Sequence, residues 1–227
     1  MKKYELIFLD ADDTLFDYKA AEKNALTTAF AGHGITISEQ TIADYAKINK
    51  QLWLDYEKNL ITKDKLRTER FLLLFEKLDY DLDEKEFSSS YLKCLAESSQ
   101  LFKDSEEVCK YLHSKYTTAI ITNGIGVVQR SRLEKSSIKK YIDYLIISED
   151  ANCSKPNVGI FNYAETITGF HDKDKMLIVG DSLSSDILGG INYGIDTCWI
   201  NTENKENPTE IKPSYTVDSL RSITEFL

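Results

Sequence analysis

Leu6-Ile7-Phe8-Leu9-Asp10-Ala11-Asp12-Asp13-Thr14-Leu15 is the stretch on which the fold turns. Its first four residues form a short, wholly apolar run, the pattern of a strand buried on both faces. The carboxylates therefore emerge at the strand's C-terminal end, where open α/β sheets bind their ligands. In extended chain, residues i and i+2 point the same way, so Asp10 and Asp12 are expected to face one pocket. Ala11 keeps the other side small. Two like charges so close repel unless a cation or a shared proton intervenes. The pattern suits a Mg²⁺-dependent site with one carboxylate as nucleophile and a second as proton donor and acceptor. Asp and Thr after a strand also suit a simple turn and helix cap. The rest of the chain decides between the two.

Downstream of residue 117 the pattern of the first strand repeats. Thr117–Thr122 reads as a strand followed by a helix through Val127–Leu133. Tyr144–Ile147, Met176–Val179 and Thr197–Ile200 read as further strands, with helical periodicity over Ile160–Thr168 and Leu183–Asn192. Alternation of this kind implies a parallel sheet wound by right-handed crossovers, and the first strand must join it. Residues 17–99 break the pattern. Ile42, Tyr45, Ala46, Ile48, Asn49 and Leu52 suit one helix face, and Leu66, Phe71, Leu74, Phe75 and Leu78 another. The expected architecture is an α/β chain with a Rossmann-like parallel sheet core, residues 1–16 and 100–227, and an inserted α-helical cap domain, residues 17–99. The hinges fall near Leu15–Tyr18 and Ser98–Lys103.

Composition narrows the partners. The formal charge is −9, with acids spread along the chain. No basic stripe exists to neutralise a phosphate backbone, so a nucleic acid polymer is not an expected partner. A small phosphorylated substrate is compatible if cations are focused in the pocket. The apolar stretch after Met1-Lys2-Lys3 is too short for a signal peptide, and no run is long enough to cross a membrane. A cytoplasmic location is expected. Cys94, Cys109, Cys153 and Cys198 are widely separated, which reads as buried apolar thiols in a reducing compartment rather than a metal or redox site.

Three further motifs sit at strand ends. Thr122-Asn123-Gly124 offers a hydroxyl and successive backbone N–H groups entering a helix, an anion cradle or an ordinary strand-to-helix turn. Ser154-Lys155-Pro156 presents a lysine beside a stiff proline, a point charge suited to a phosphoryl oxygen. In Gly180-Asp181-Ser182-Leu183-Ser184-Ser185-Asp186, two acids flank a tight turn and can point at a metal beside Asp10. Asp186 also suits the first turn of a helix.

Acid pair, threonine, lysine, acid pair: in that order, each just past an apolar strand, the set resembles the haloacid dehalogenase superfamily of aspartate-nucleophile phosphohydrolases. Within it the chain is most similar to the bacterial pyrimidine 5′-nucleotidase branch, through Asp10-Ala11-Asp12-Asp13-Thr14-Leu15-Phe16, Asn49–Tyr56, Ile121–Gly124, Ser154–Asn157, Ser185–Asn192 and Thr197-Cys198-Trp199. Position 13 is a departure, being Asp where many relatives have Gly. Its side chain must turn away from the phosphate.

The resemblance implies a Mg²⁺-dependent phosphatase for nucleoside 5′-monophosphates such as UMP, dUMP and dTMP, working as a monomer or homodimer in nucleotide metabolism. It implies Asp10 as nucleophile and Asp12 as acid/base. Thr122, Asn123 and Lys155 would bind phosphate. The metal would be held by Asp10, the Asp12 backbone carbonyl, Asp181 and, through water, Asp186. Phe16, Tyr18, Trp53 and Tyr56 are candidates for flanking a base, since aromatic faces stack on nucleobases. A haloacid dehalogenase would need neither the metal nor Asp12. A phosphatase for sugar phosphates would share every core motif. A catalytically idle module, such as a signalling receiver, would lack Asp12 and the helical insertion.

Overall fold

In a computed structural model the chain is described from Lys3 to Leu227. Its contacts divide it into two compact units, residues 1–18 with 99–227, and residues 19–98.

The first unit is an α/β layer structure. Strands β1 (Leu6–Leu9), β2 (Thr117–Thr122), β3 (Tyr144–Ile147), β4 (Met176–Gly180), β5 (Asp196–Ile200) and β6 (Tyr215–Val217) form one sheet in the order β3-β2-β1-β4-β5-β6. Each neighbouring pair of these strands is parallel. This is the doubly wound order, with β1 central and the direction of winding reversed between β1 and β4. Helices α5 (Ser105–His113), α6 (Gly126–Glu134), α7 (Val158–Thr168) and α8 (Leu188–Tyr193) carry the crossovers. One face of the sheet buries Ile7, Leu9, Ile120 and Val179; the other buries Leu6, Phe8, Ile121 and Ile178. Phe8 meets Phe161 of α7 edge-on at 6.0 Å.

The structure differs from the sequence expectations locally. The helix expected over Leu183–Asn192 is a π-type turn, Leu183–Ile187, leading into α8. The three-residue strand β6 was not anticipated, because Tyr215–Val217 is too short and too exposed to carry a period. Of the four cysteines, Cys109 and Cys198 are buried, but Cys94 and Cys153 are partly exposed; all four are free thiols.

The second unit is helical. The helix α1 begins at Tyr18 and runs to Gly32, followed by α2 (Glu39–Glu57), α3 (Lys63–Leu78) and α4 (Glu84–Glu97). Ser38, Thr62 and Asp83 cap the last three by accepting backbone N–H bonds in the first turn. The α3 face is buried as the spacing predicts, through Leu66, Phe71, Leu74 and Phe75. On α2, Tyr45, Asn49 and Leu52 are buried while Ala46 is exposed, since the stripe that includes Asp44 and Tyr45 rotates it outward. Asn49 is buried because it joins two charges: its amide donates to Glu22 at 2.6 Å, and Arg70 donates to its carbonyl oxygen at 3.2 Å. Among the described residues no helix is long and apolar enough to cross a membrane.

Gly190 shows how tightly α8 lies on the sheet. A Cβ there would stand 2.6 Å from the γ-methyls of both Ile178 and Thr197. Both neighbours are β-branched and stiff, so overpacking at the upper end of its range, about 3 kcal/mol, outweighs a helix-propensity gain of about 1 kcal/mol. Gly190→Ala is therefore expected to lower the unfolding free energy by about 2 kcal/mol, read from the urea midpoint; an unchanged midpoint would contradict this packing.

Candidate active site

Asp10 follows β1 and continues its ladder, its N–H bonded to the Val179 carbonyl at 2.9 Å. Asp181 follows β4, so two carboxylates stand at adjacent strand ends where the winding reverses. The loop after Asp10 folds back on itself: the N–H groups of Leu15 and Phe16 both reach the Ala11 carbonyl, and that of Asp13 reaches the Phe16 carbonyl. This turn needs a left-handed residue, and Asp13 supplies it at φ 60°. Asp is among the few residues besides Gly that tolerate that region, which accounts for the departure at position 13. Phe16 also bridges Leu101 antiparallel, and Asp17 N–H donates to the Gln100 carbonyl. The two crossings between units are thus tied side by side.

Lys155 is the centre of the site. It is only 1% exposed, and its ammonium donates to Asp10 Oδ1 at 2.5 Å, the Ile121 carbonyl at 2.6 Å and Asp186 Oδ1 at 2.7 Å. An ammonium has three donors, and all three are used. Burial pulls the Lys155 pKa down, but Asp10 and Asp186 outweigh it and hold the group well above the usual lysine value. Burial conversely raises Asp10 well above the carboxylate range, Lys155 opposing and Asp186 and Asp181 adding. Asp181 is pushed up to about 7 by burial, then by Asp186 and Asp13.

Asn123 ties the lysine to the neighbouring loops. Its Oδ1 accepts the Lys155 N–H at 2.8 Å, and its Nδ2 donates to the Lys155 carbonyl and to Ser185 Oγ. Thr122 is buried, and its hydroxyl oxygen accepts the Gly124 N–H at 3.0 Å. Thr14 donates to Asp181 at 3.3 Å. The π-type turn aims Asp186 back at β4: its Oδ2 accepts the Ser182 N–H at 3.0 Å, and a Cβ on Gly180 would lie 2.2 Å from that same oxygen. One carboxylate oxygen from each of Asp10, Asp181 and Asp186 lies within 4.8 Å of the others. An all-oxygen carboxylate set of this kind is what Mg²⁺ takes, so the residues fit that ion.

The structure thus brings Asp10, Lys155, Asp181 and Asp186 together, with Thr122 and Asn123 at the adjoining strand end. Asp12 is held separately by α6, bonded to Gln129 at 2.6 Å and ion-paired with Arg132. Phe16 is a correction. It is 1% exposed with the Arg132 guanidinium 4.5 Å over its ring, so it serves the core rather than offering a face to a base. Tyr18, Trp53 and Tyr56 are partly exposed; Trp53 and Tyr56 meet edge-on at 5.8 Å. Gln129 and Arg132 were missed in the sequence. The available signal was their place on the buried stripe of α6, four and seven residues after Ile125.

A doubly wound sheet with an acidic cluster around one buried lysine at its switch point defines a hydrolase of known type. The chain belongs to the haloacid dehalogenase-like hydrolase family, whose profile matches residues 6–200. It is 35% identical to the pyrimidine 5′-nucleotidase YjjG of Escherichia coli over 99% of this chain and 98% of that protein. It is 34% identical to the pyrimidine 5′-nucleotidase PynA of Streptococcus pneumoniae, covering 99% of this chain and 95% of that one. The crystal structure of the HAD-hydrolase YfnB from Bacillus subtilis bound to magnesium superposes with a TM-score of 0.94 at 33% identity, over 100% of this chain and 99% of that one.

Removing the buried cation tests the electrostatics directly. Lys155→Met leaves carboxylates facing one another without a counter-charge, a loss of about 3–5 kcal/mol; protonation of Asp10 would hold it to the lower end. Chemical denaturation without added metal is expected to show this drop, and a variant as stable as wild type would contradict it.

Proposed function

We propose that this chain is a Mg²⁺-dependent phosphatase that hydrolyses pyrimidine nucleoside 5′-monophosphates, such as UMP, dUMP and dTMP, through an aspartyl-phosphate on Asp10. The observation that carries the reading is the buried Lys155 shared by Asp10 and Asp186 at the end of the central strand. The two nucleotidase relatives supply the substrate class.

Asp10, the backbone carbonyl of Asp12, Asp181 and, through water, Asp186 would hold the metal. When bound, Mg²⁺ supplies positive charge against the phosphoryl oxygens. The rest falls to the chain. A carboxylate oxygen of Asp10 attacks phosphorus in line as the bond to the 5′-oxygen breaks. The departing oxygen keeps the bonding pair and takes a proton from Asp12, leaving as the nucleoside hydroxyl. Water then attacks the aspartyl-phosphate and gives a proton back to Asp12. Phosphate departs and the Asp10 carboxylate is restored. Thr122 accepts the Gly124 N–H, so its own hydroxyl proton is directed elsewhere and serves the phosphoryl group. Asn123 contributes its backbone N–H, its side chain being committed to Lys155 and Ser185. Lys155, its three donors already spent, bears on the phosphoryl oxygens as a fixed positive charge. Positioning and charge neutralisation supply most of the acceleration in such reactions.

Phosphate release from a panel of nucleoside 5′-monophosphates and sugar phosphates, with Mg²⁺ and with EDTA, tests the reading. The expected outcome is metal-dependent release favouring UMP, dUMP or dTMP, abolished in a folded Asp10→Asn variant. Release from sugar phosphates alone would overturn the substrate, and wild-type rates in Asp10→Asn would overturn the nucleophile.

Substrate choice is assigned to the aromatic residues Trp53 and Tyr56 of the helical unit, with Tyr18. Base stacking on an aromatic ring is worth about 1–3 kcal/mol. Trp53→Ala is therefore expected to lower kcat/KM for UMP by about ten-fold or more while leaving sugar phosphates unchanged; an unaltered ratio would remove Trp53 from recognition.

A further inference from the structure

The proposed chemistry leaves two polar side chains of α6 without a task, and both are turned onto Asp12. Arg132 donates through Nη1 to Asp12 Oδ1, and Gln129 through Nε2 to Oδ2 at 2.6 Å. Each carboxylate oxygen therefore has its own donor. Arg132 is fully buried, its guanidinium lying over the ring of Phe16. Phe16 is in turn bridged to Asp12 and to Leu101. Gln129 is 2% exposed, and a Cβ on Gly124 would stand 2.2 Å from its Nε2. The glycine of Thr122-Asn123-Gly124 is thus what makes room for the amide that reaches Asp12. Burying a guanidinium and an amide is unfavourable unless each is paired, and here the pairing converges on one carboxylate.

We propose that Gln129 and Arg132 are positioning residues for Asp12, and that Gly124 is required for Gln129 to reach it. The inference rests on the reading of Asp12 as proton donor and acceptor. A carboxylate has about four lone-pair sites. The two α6 bonds take one on each oxygen, fix the direction of the side chain and the rotation of its plane, and leave one site per oxygen for proton exchange. Bonds from two points on a helix hold that plane; either alone would let it turn. Proton transfer needs hydrogen-bond reach between donor and acceptor, so a freely rotating Asp12 would be in place for only part of the time.

The test uses the full chain with Mg²⁺ and compares UMP with para-nitrophenyl phosphate by rapid mixing, in wild type, Gln129→Leu, Arg132→Met and Arg132→Lys. The nitrophenolate of the second substrate leaves without needing a proton. With UMP, Gln129→Leu and Arg132→Met are expected to lose about 10²-fold in kcat, with KM within about three-fold. With para-nitrophenyl phosphate, the first-turnover burst keeps its wild-type rate. Steady turnover then falls, because water must still give its proton to Asp12. Arg132→Lys restores part of the UMP rate. A burst that falls by the same factor as UMP turnover would overturn the proposal in favour of a purely structural role, as would variants with wild-type rates on both substrates. Gln129→Leu introduces no orphaned charge and carries the test if Arg132→Met does not fold. A wild-type protein that releases phosphate from neither substrate would instead overturn the reading of the site itself.

Discussion

The ammonium of Lys155, out of water and shared by Asp10 and Asp186, is the interaction on which the site depends. It links three strand ends: β1 through Asp10, β2 through the Ile121 carbonyl, and the turn after β4 through Asp186. Without it the carboxylates would repel at close range in a medium that screens them poorly. With it one carboxylate oxygen from each of Asp10, Asp181 and Asp186 lies within 4.8 Å of the others. The lysine is held by its own backbone, pinned through Asn123. The loop after β2 and the lysine that balances the charges of Asp10 and Asp186 are therefore joined by hydrogen bonds into one assembly.

The backbone is shaped around this cluster. Gly180 has no Cβ because Asp186 occupies that space, and the π-type turn returns Asp186 to the strand it has just left. Asp13 adopts the left-handed conformation that lets the loop close on Ala11 and Phe16. Insertions of one residue into a helical turn recur at functional sites, and here the insertion places a carboxylate. The same economy appears on α6, where a stripe that elsewhere would be apolar carries Gln129 and Arg132 to Asp12.

Much of this is legible in the residues themselves. Leu6–Leu9, Thr117–Thr122, Tyr144–Ile147 and Met176–Val179 read as buried parallel strands because each is a short apolar run, and the acids, threonine and lysine at their ends follow from that reading. What periodicity does not reveal is contact between distant elements. Arg132 falls on the buried stripe of α6, but only the structure shows that Phe16 and Asp12 are what it meets there. Phe16 reads as a free aromatic until that guanidinium covers it. Asn49 reads as one more position on a helical face, although Glu22 and Arg70 are what bury it. Strand β6 sets an exposed Thr216 between half-buried Tyr215 and Val217 and is too short to show a period.

In the proposed reaction Asp10 becomes covalently phosphorylated while Lys155 holds its charge in balance. Acid-quenching the enzyme during turnover of UMP with Mg²⁺, then mapping the phosphoryl group by peptide mass spectrometry, tests it most directly. The expected result is phosphate on the peptide bearing Asp10, at the Asp10 side chain, and none in Asp10→Asn. Phosphate on another residue, or an unmodified Asp10 in an enzyme caught turning over under conditions that preserve acyl-phosphates, would contradict it.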